Sequence, residues 1–324
     1  MIPVNVPSTA MNPGPASPTF PSSGQILIRR IRLIAAMAVS ALIFWYFGWW
    51  VASPPDPGSA VALILIDQGV VTMAELLALA AVVSGLAVAI CGADSAERGP
   101  LAVAVGLATL AARAGQMDKL VLYRLTTLST GPGAESAYPT FALIAETWLW
   151  LALIGVGLVV GRWVDSWFKP VAMPTPLSPQ ADPGAEIRNG AGTLILTASI
   201  SWVLLSYLVG GTQYPIEKGQ LYFGVAAAFL LGSLIANMLF QMQTRVMLLI
   251  VVALVASSAY IYAGPPDELL HAARSIGAYV TLAPMARPLP IEYAALGAIG
   301  ILIEKDVMGL LGTLVGVAPA EQAD

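Results

Sequence analysis

The sequence contains very little cysteine, histidine or charge. Its 324 residues include one cysteine, Cys91, one histidine, His271, and only 15 Lys+Arg and 19 Asp+Glu. A disulfide within the chain needs two cysteines, so none can form. The same scarcity excludes a haem held by two histidines, a Cys-x-x-Cys redox pair and an all-cysteine zinc or iron–sulfur site. We therefore predict no cofactor and no metal site.

Apolar residues take the place of charged ones in this sequence. Charged residues make up 10% of the chain, against about 25% in a typical soluble domain. Hydrophobic residues make up 57%, and the mean hydropathy is +0.78. This composition excludes a soluble globular enzyme and predicts an integral membrane protein. The net charge of −4, with one short run of arginines near the N-terminus, argues against a nucleic-acid partner. No Gly-x-x-x-x-Gly-Lys loop is present, so we expect no nucleotide.

The apolar runs predict membrane spans. A bilayer core requires about 20 mainly apolar helical residues, because hydrocarbon satisfies no free backbone amide. The 24 prolines lie in polar connectors or at the edges of these runs, so unbroken helices can form between them. We predict an all-α, polytopic transmembrane helical bundle with about seven spanning helices. The predicted spans are Ile31–Val51, Ala74–Cys91, Leu101–Met117, Phe141–Trp163, Thr193–Gly210, Leu221–Phe240 and Val246–Ala263.

Shorter segments accompany these spans. Ile291–Ile303 has 13 residues before the charged run that begins at Glu304. At about 1.5 Å per residue this is shorter than a bilayer core. We expect it to be re-entrant, interfacial or packed on the bundle, with a longer helix through the charges as the alternative. The same holds for Ala60–Ile66, which is shorter still. Pro265–Val280 has apolar residues at helical spacing and predicts one amphipathic helix on the bilayer surface or on the bundle.

Composition divides the chain into five parts. The Pro-rich segment at the start predicts a disordered cytoplasmic tail, and a second Pro-rich segment predicts a linker between two helix groups. The parts are the tail 1–28, a first group of about four spans in 29–169, the linker 170–190, a second group of about three spans plus the short apolar segment in 191–316, and a C-terminal tail 317–324.

The basic residues predict the orientation. Arg29, Arg30 and Arg32 precede the first span, and the positive-inside rule then puts the N-terminus in the cytoplasm of a plasma or inner membrane. If the seven predicted spans and Ile291–Ile303 all cross, nine Lys or Arg lie on the cytoplasmic side and six on the other side. If Leu101–Met117 does not cross, ten lie on the cytoplasmic side and five on the other. We still favour crossing, because Leu101–Ala112 is apolar on nearly every face and an interfacial helix needs a polar one.

Arg113 and Glu146 are the charges clearly inside apolar spans. An ionisable group at membrane depth costs about 2.5–3.5 kcal/mol on insertion scales, so each is a functional candidate. In the eight-crossing arrangement they lie at similar depth below one interface on consecutive helices. We therefore predict that they form an ion pair. The alternatives are an arginine that snorkels to the interface and a glutamate that acts as an acid or base.

Other polar and small residues complete the candidates. Asn237, Thr197 and Ser201 are polar within spans. The hydroxyls of Thr197 and Ser201 are expected to bond to carbonyls of their own helix or to a neighbour, with a solute path as the alternative, and Asn237 supports a permease. His271 follows two acidic residues, which we interpret as a solvated helix face. Small residues recur at one-turn spacing and predict close helix packing. The clearest cases are Gly157-x-x-x-Gly161 and Gly312-x-x-x-Gly316.

The functional prediction follows from what the spans lack. Few polar groups, no nucleotide loop and no redox ligands favour a non-catalytic polytopic membrane protein, a structural or accessory subunit of a membrane assembly. Its expected partners are the lipid bilayer and another membrane protein or a second copy of the chain. The first alternative is a permease for a small solute or lipid, since transporters place polar groups at mid-membrane. The second is a membrane-embedded enzyme that uses Glu146.

Overall fold

The protein is described by a computed structural model. Within the part of the chain it describes, 88% of residues are helical and no strand is present, which confirms the predicted all-α class. The described residues are 23–54, 59–66, 68–92, 95–127, 138–168, 183–210, 217–240, 245–265, 268, 270 and 282–315.

The longer helices are numbered here in chain order. They are α1 Ser23–Ile43, α2 Gly69–Cys91, α3 Arg98–Arg113, α4 Met117–Thr127, α5 Thr140–Phe168, α6 Pro183–Leu208, α7 Lys218–Phe240, α8 Leu249–Ala263 and α9 Pro290–Val315. A π-helical turn at Phe44–Gly48 and a last turn at Trp49–Ala52 continue α1. Short 3₁₀ turns lie at Leu63–Leu65, Arg245–Leu248 and Pro284–Ala286.

Glycine and proline mark several helix boundaries. α2 ends at Gly92, whose φ of 87° lies in the region that glycine adopts without steric cost. Its N–H bonds to the carbonyl of Val88 at 2.8 Å and closes the last turn. α9 begins with Pro290, where the missing N–H removes no helix hydrogen bond.

The bundle has two ends, and one contact between helices identifies each of them. At one, Arg98 at the start of α3 makes a two-pronged ion pair with Asp306 in the second half of α9, with N–O distances of 2.6 and 2.8 Å. At the other, the Lys218 ammonium at the start of α7 donates to the carbonyl of Ala111 in the last turn of α3, at 2.8 Å. Lys218 also lies near Glu292 at the start of α9, so α3 and α9 are antiparallel. We call these the Arg98 end and the Lys218 end.

α3 and α9 form the centre of the bundle. α9 packs against α3, α5, α7 and α8, and α3 packs also against α1 and α2. Residues 290–298 of α9 are all buried. The outer helices expose large apolar side chains, among them Phe141, Tyr207 and Phe223. The core is apolar as well, so large apolar side chains lie both inside and outside the bundle, whereas a soluble protein concentrates them inside.

Four helices of the described chain are long and apolar enough to cross a membrane. They are Gly69–Cys91, Thr140–Phe168, Arg188–Leu208 and Lys218–Phe240. α8 is apolar but shorter, with 15 residues. α3 has 16 residues and ends at Arg113, so the predicted span Leu101–Met117 divides between α3 and the start of α4.

The short apolar segments take two different forms. Ile291–Ile303 is not an isolated short segment, because α9 continues for 26 residues through its charged run. Those charges are accommodated by protein contacts, with Glu304 bonded to Asn237 and Asp306 to Arg98. Ala60–Ile66 is packed on the bundle, one of the arrangements predicted for it, and residues 60–62 are wholly buried.

Some predicted features fall on residues that are not described. Of the predicted amphipathic helix Pro265–Val280, the structure describes only Pro265, Glu268 and Leu270. Residues 1–22 and 316–324 also lie outside the described ranges. Within the predicted linker 170–190, the description starts at Pro183, where α6 begins.

Candidate functional site

A cluster of buried polar side chains lies at the Lys218 end. Glu146 on α5 and Glu292 on α9 have relative exposures of 2% and 0%. Tyr260 on α8 and Tyr293 on α9 are also fully buried, and Tyr138, just before α5, is 3% exposed. Because α5 and α9 begin and α8 ends at this end of the bundle, the three helices bring these side chains together.

Glu146 binds the backbone of a buried irregular segment. Its Oε1 accepts a hydrogen bond from the Leu63 amide at 2.8 Å and another from the Trp150 indole Nε1–H at 3.0 Å. Leu63 begins the 3₁₀ turn Leu63–Leu65, which lies within the segment 59–66. The first amides of such a turn have no partner within it. The carboxylate supplies that partner, so it fastens residues 59–66 to α5.

Arg113 binds elsewhere, and the predicted ion pair with Glu146 does not form. The guanidinium donates to the Trp45 carbonyl at 2.9 Å and lies 4.4 Å from the ring centre of Trp49. Its side chain is exposed, whereas that of Glu146 is buried. Similar depth along two adjacent helices fixes neither helix's rotation, and here Arg113 turns outward to α1 while Glu146 turns inward.

Glu292 and Lys218 satisfy helix termini. Glu292 Oε2 accepts from the Leu289 amide at 2.8 Å, so the third residue of α9 caps the residue before the helix. Lys218 donates to carbonyls of the last turn of α3 and of Ala114 that follows it. A cation there opposes the negative end of the α3 dipole. The ammonium also lies close enough to Glu292 for the two charges to interact.

Three tyrosine hydroxyls hold the segment before α9. Tyr260, Tyr293 and Tyr138 donate to its backbone at 2.9, 2.6 and 3.5 Å. The acceptors are the carbonyls of Pro288, Met285 and Ala286, respectively. The ring of Tyr260 packs edge-on against the other two, with centroids 5.7 and 6.4 Å apart. Burial raises the pKa of the Tyr138 hydroxyl above its ordinary value, so that group remains a donor.

The polar residues predicted within spans lie between helices. Asn237 Nδ2 donates to Glu304 Oε1 at 3.0 Å and joins α7 to α9 at the Arg98 end. Ser201 donates to the Ala228 carbonyl at 3.2 Å, and Thr197 is wholly buried beside it on α6. These two hydroxyl residues lie where α6 crosses α7, at Gly232.

Gly157 and Gly161 lie where α5 crosses the start of α3. A Cβ at Gly161 would be 2.6 Å from the Ala96 carbonyl oxygen, and one at Gly157 would be 3.1 Å from the Cα of Pro100. The Ser84 hydroxyl of α2 donates to the Gly157 carbonyl at 2.5 Å. Glycine thus allows three helices to meet here. The surroundings of Gly312 and the whole of Gly316 lie outside the described residues.

Metal-ligand types do not gather in the described part of the chain. No three His, Cys, Asp or Glu side chains there lie close enough to hold a metal ion. His271 is outside the described residues, and Cys91 is a free, partly buried thiol at the end of α2.

Several members of the cluster were not selected from the sequence. Glu292 had a signal, because a glutamate two residues after Pro290 stands where its carboxylate can accept from the amide just before a helix. The three tyrosines and Lys218 had none, because their partners are backbone carbonyls distant in sequence. Comparison of the chain with protein-family models, curated proteins and solved structures finds no match.

Proposed function

We propose that the chain is an integral membrane protein whose helices α1 to α3 and α5 to α9 all cross the bilayer. Support comes from the contacts between helix ends. Arg113 joins the ends of α3 and α1 at the Lys218 end, and Ser95, just before α3, donates to Asp165 near the end of α5 at 3.2 Å. α2 and α5 both start near Glu146, and Tyr260 is near the end of α8. Consecutive crossing helices therefore start at opposite ends of the bundle, as a polytopic membrane protein requires.

The distribution of basic residues supports an orientation with the Arg98 end in the cytoplasm. Helix alternation assigns nine Lys or Arg to that end and six to the other, counted over the sequence. A reporter enzyme active only outside the cytoplasm, fused at Asp182 before α6, should then be inactive. The same reporter fused after Ala263, at the end of α8, should be active. Activity at Asp182 would overturn this topology.

We propose further that the protein is a non-catalytic structural or accessory subunit of a membrane assembly. One observation carries this proposal. The buried polar side chains at the Lys218 end bond to the chain's own backbone: Glu146 and Glu292 to free amides, and Lys218 to free carbonyls. Groups used to complete helix ends and irregular segments stabilise a fixed arrangement. Of the two carboxyl groups, only Glu146 Oε2 and Glu292 Oε1 have no hydrogen-bond partner among the described residues.

The test is mass spectrometry of the protein extracted from its own membrane in mild detergent. We expect a complex of defined stoichiometry with another membrane protein or with a second copy. Purification of a monomer that carries neither, at protein concentrations well above the low micromolar range, would contradict the proposal.

A permease for a lipid or small apolar solute is the second candidate, and one cleft favours it. It has a volume of about 410 Å³ and opens between α6 and α8 on the outer surface. Trp202 and Leu254 line it, and the Ser199 and Ser258 hydroxyls there bond to carbonyls of their own helices. The cleft therefore suits an apolar guest. Trp202→Ala should abolish transport of that guest in reconstituted vesicles, and absence of any transport would reject this candidate.

A further inference from the structure

The first three turns of α1 extend away from the rest of the protein. Residues 24–32 are exposed at every position, and the first buried residue of the helix is Ala36. Arg29, Arg30 and Arg32 lie in these turns, and no acidic side chain of the described chain forms an ion pair with them. Three arginines in four positions thus form a cationic surface with which no described acidic side chain makes an ion pair.

The extension is amphipathic. Leu27, Ile31 and Ile34 follow one another at four- and three-residue spacing, so they lie on one face of the helix. Their exposures are 59%, 56% and 68%. At about 100° per residue Arg29 and Arg32 lie on the opposite half of the helix, whereas Arg30 lies at the edge of the apolar stripe, about 40° from Ile34. Arginines opposite and beside an apolar stripe are typical of helices at a membrane surface, with the apolar side chains among acyl chains and the cations at headgroups.

The length of the helix places the arginines at headgroup depth. α1 and its continuation run from Ser23 to Ala52. Leu33–Ala52 alone has the roughly 20 residues that fill a hydrocarbon core. At about 1.5 Å per residue, Arg32 and Arg29 then lie roughly 2–6 Å beyond the core, within the headgroup layer. The exposed rings of Tyr46 and Trp50 at the other end of the helix suit the opposite interface.

We propose that Arg29, Arg30 and Arg32 form a binding site for the headgroup phosphate of anionic phospholipids in the leaflet at the Arg98 end. The inference rests on the proposed crossing of the membrane by α1. Charge complementarity determines the occupant, because three exposed guanidinium groups at headgroup depth attract anionic lipid over zwitterionic lipid. The apolar stripe of Leu27, Ile31 and Ile34 holds the helix among the acyl chains beside that headgroup.

The test counts bound lipids on the full-length, delipidated protein by native mass spectrometry. Phosphatidylglycerol and phosphatidylcholine with the same acyl chains are titrated separately. We compare Arg29→Gln/Arg30→Gln with a matched control, Arg162→Gln/Arg188→Gln, which removes two exposed arginines from the same end of the bundle. The first variant keeps Arg32, so a positive charge remains to orient α1.

We expect the wild type and the control to bind phosphatidylglycerol more tightly than phosphatidylcholine. Arg29→Gln/Arg30→Gln should weaken phosphatidylglycerol binding about 10- to 30-fold, at roughly fivefold per arginine, and leave phosphatidylcholine unchanged. Equal losses in both variants would mean a general charge effect and overturn the proposal. Competition by free inorganic phosphate at matched concentration would assign the site to a soluble anion and overturn the lipid assignment.

Carbonate extraction of membranes separates this proposal from the one on which it rests. Both variants should remain in the membrane fraction with wild-type helicity by circular dichroism. Release of the wild type by carbonate would contradict the proposed membrane crossing, whereas a retained double variant with wild-type phosphatidylglycerol affinity would contradict the lipid site alone. If the double variant does not fold, the single variants Arg29→Gln and Arg30→Gln serve instead, each with about a fivefold expected loss. Wild-type affinity in both would overturn the site.

Discussion

Replacement of Glu146 by leucine should destabilise the protein strongly, for a reason other than a broken ion pair. The carboxylate is the acceptor for the Leu63 amide and the Trp150 indole, and all three groups are buried. Leucine fills similar space but accepts nothing. Each donor left without a partner costs about 1–3 kcal/mol, so the expected loss is about 2–6 kcal/mol of unfolding free energy. Glu146→Gln keeps a carbonyl oxygen at the same position and should cost much less.

A double-mutant cycle isolates the contact. Trp150→Phe removes the indole N–H and retains a buried aromatic ring. In the wild type this change loses one hydrogen bond, at a cost of about 1 kcal/mol. In the Glu146→Leu background it removes a donor that already lacks a partner, so its cost should vanish or reverse. The two changes should therefore couple by about 1–2 kcal/mol.

The assay follows helicity by circular dichroism as a denaturing detergent is titrated into mild-detergent micelles. Arg113→Leu serves as the comparison, because Arg113 bonds to Trp45 and not to Glu146. Its effect should add to that of Glu146→Leu within about 0.5 kcal/mol. Rescue of Glu146→Leu by Arg113→Leu, or additivity between Glu146→Leu and Trp150→Phe, would refute this reasoning.

A local measurement on the segment that Glu146 holds gives an independent check. Ala62 is wholly buried in residues 59–66. In a Cys91→Ser background, a cysteine placed there by Ala62→Cys should react slowly with a maleimide. Glu146→Leu should accelerate the reaction, because the segment then opens more often. An unchanged rate would mean that the carboxylate does not restrain the segment.

Two further predictions concern packing and the tyrosines. Gly161→Ala should destabilise α5 against α3, because a Cβ there lies 2.6 Å from the Ala96 carbonyl oxygen. A Cβ at Gly155 on the same helix meets nothing within 4 Å, so Gly155→Ala should be neutral or stabilising by up to about 1 kcal/mol. Thermal unfolding in detergent compares the two variants. Equal effects would contradict the close contact between α5 and the start of α3. Tyr293→Phe should cost about 1 kcal/mol and speed amide exchange in residues 282–289. The exposed Tyr262→Phe should do neither, and a matching effect there would reject the role of the Tyr293 hydroxyl.

Hydropathy predicted the helices well because nearly all the apolar runs do form them. Ala74–Cys91 and Leu221–Phe240 lie within α2 and α7 with boundaries that differ by only a few residues. Hydropathy did not predict the length of the helix at Ile291–Ile303, because charged residues after an apolar run lower the mean hydropathy and predict the end of a span. In α9, Glu304 and Asp306 face neighbouring helices and have protein partners, so the helix continues past them. Such partners come from segments distant in sequence and leave no local pattern.

The candidate site was predicted only in part. The unusual depth of Glu146 identified it as a residue with a specific role, and the structure gives it a set of buried donors. Its partner could not be inferred, because the sequence gives depth along a helix, at about 1.5 Å per residue, whereas the rotation of one helix against another depends on packing. Arg113 shows the consequence, since it lies on a neighbouring helix and turns to α1.

The distribution of buried polar groups has a physical logic that relates fold to function. Apolar helices gain little from association in lipid, because acyl chains are as apolar as leucine side chains. Specific contacts must therefore determine the arrangement, and the strongest available are bonds to backbone groups left free at helix ends and in irregular segments. Residues 59–66 and 282–289 are two buried irregular segments of the described chain, and both lie at the Lys218 end. Glu146, Glu292, the three tyrosines and Lys218 collect there because their partners are the free amides and carbonyls of these segments and of the last turn of α3. The demand for backbone satisfaction thus accounts for the position of the polar cluster, and it leaves Glu146 Oε2 and Glu292 Oε1 as buried oxygens without a hydrogen-bond partner in the described part of the chain. Catalysis or transport at this end would have to exchange one of the backbone bonds or use one of these two oxygens.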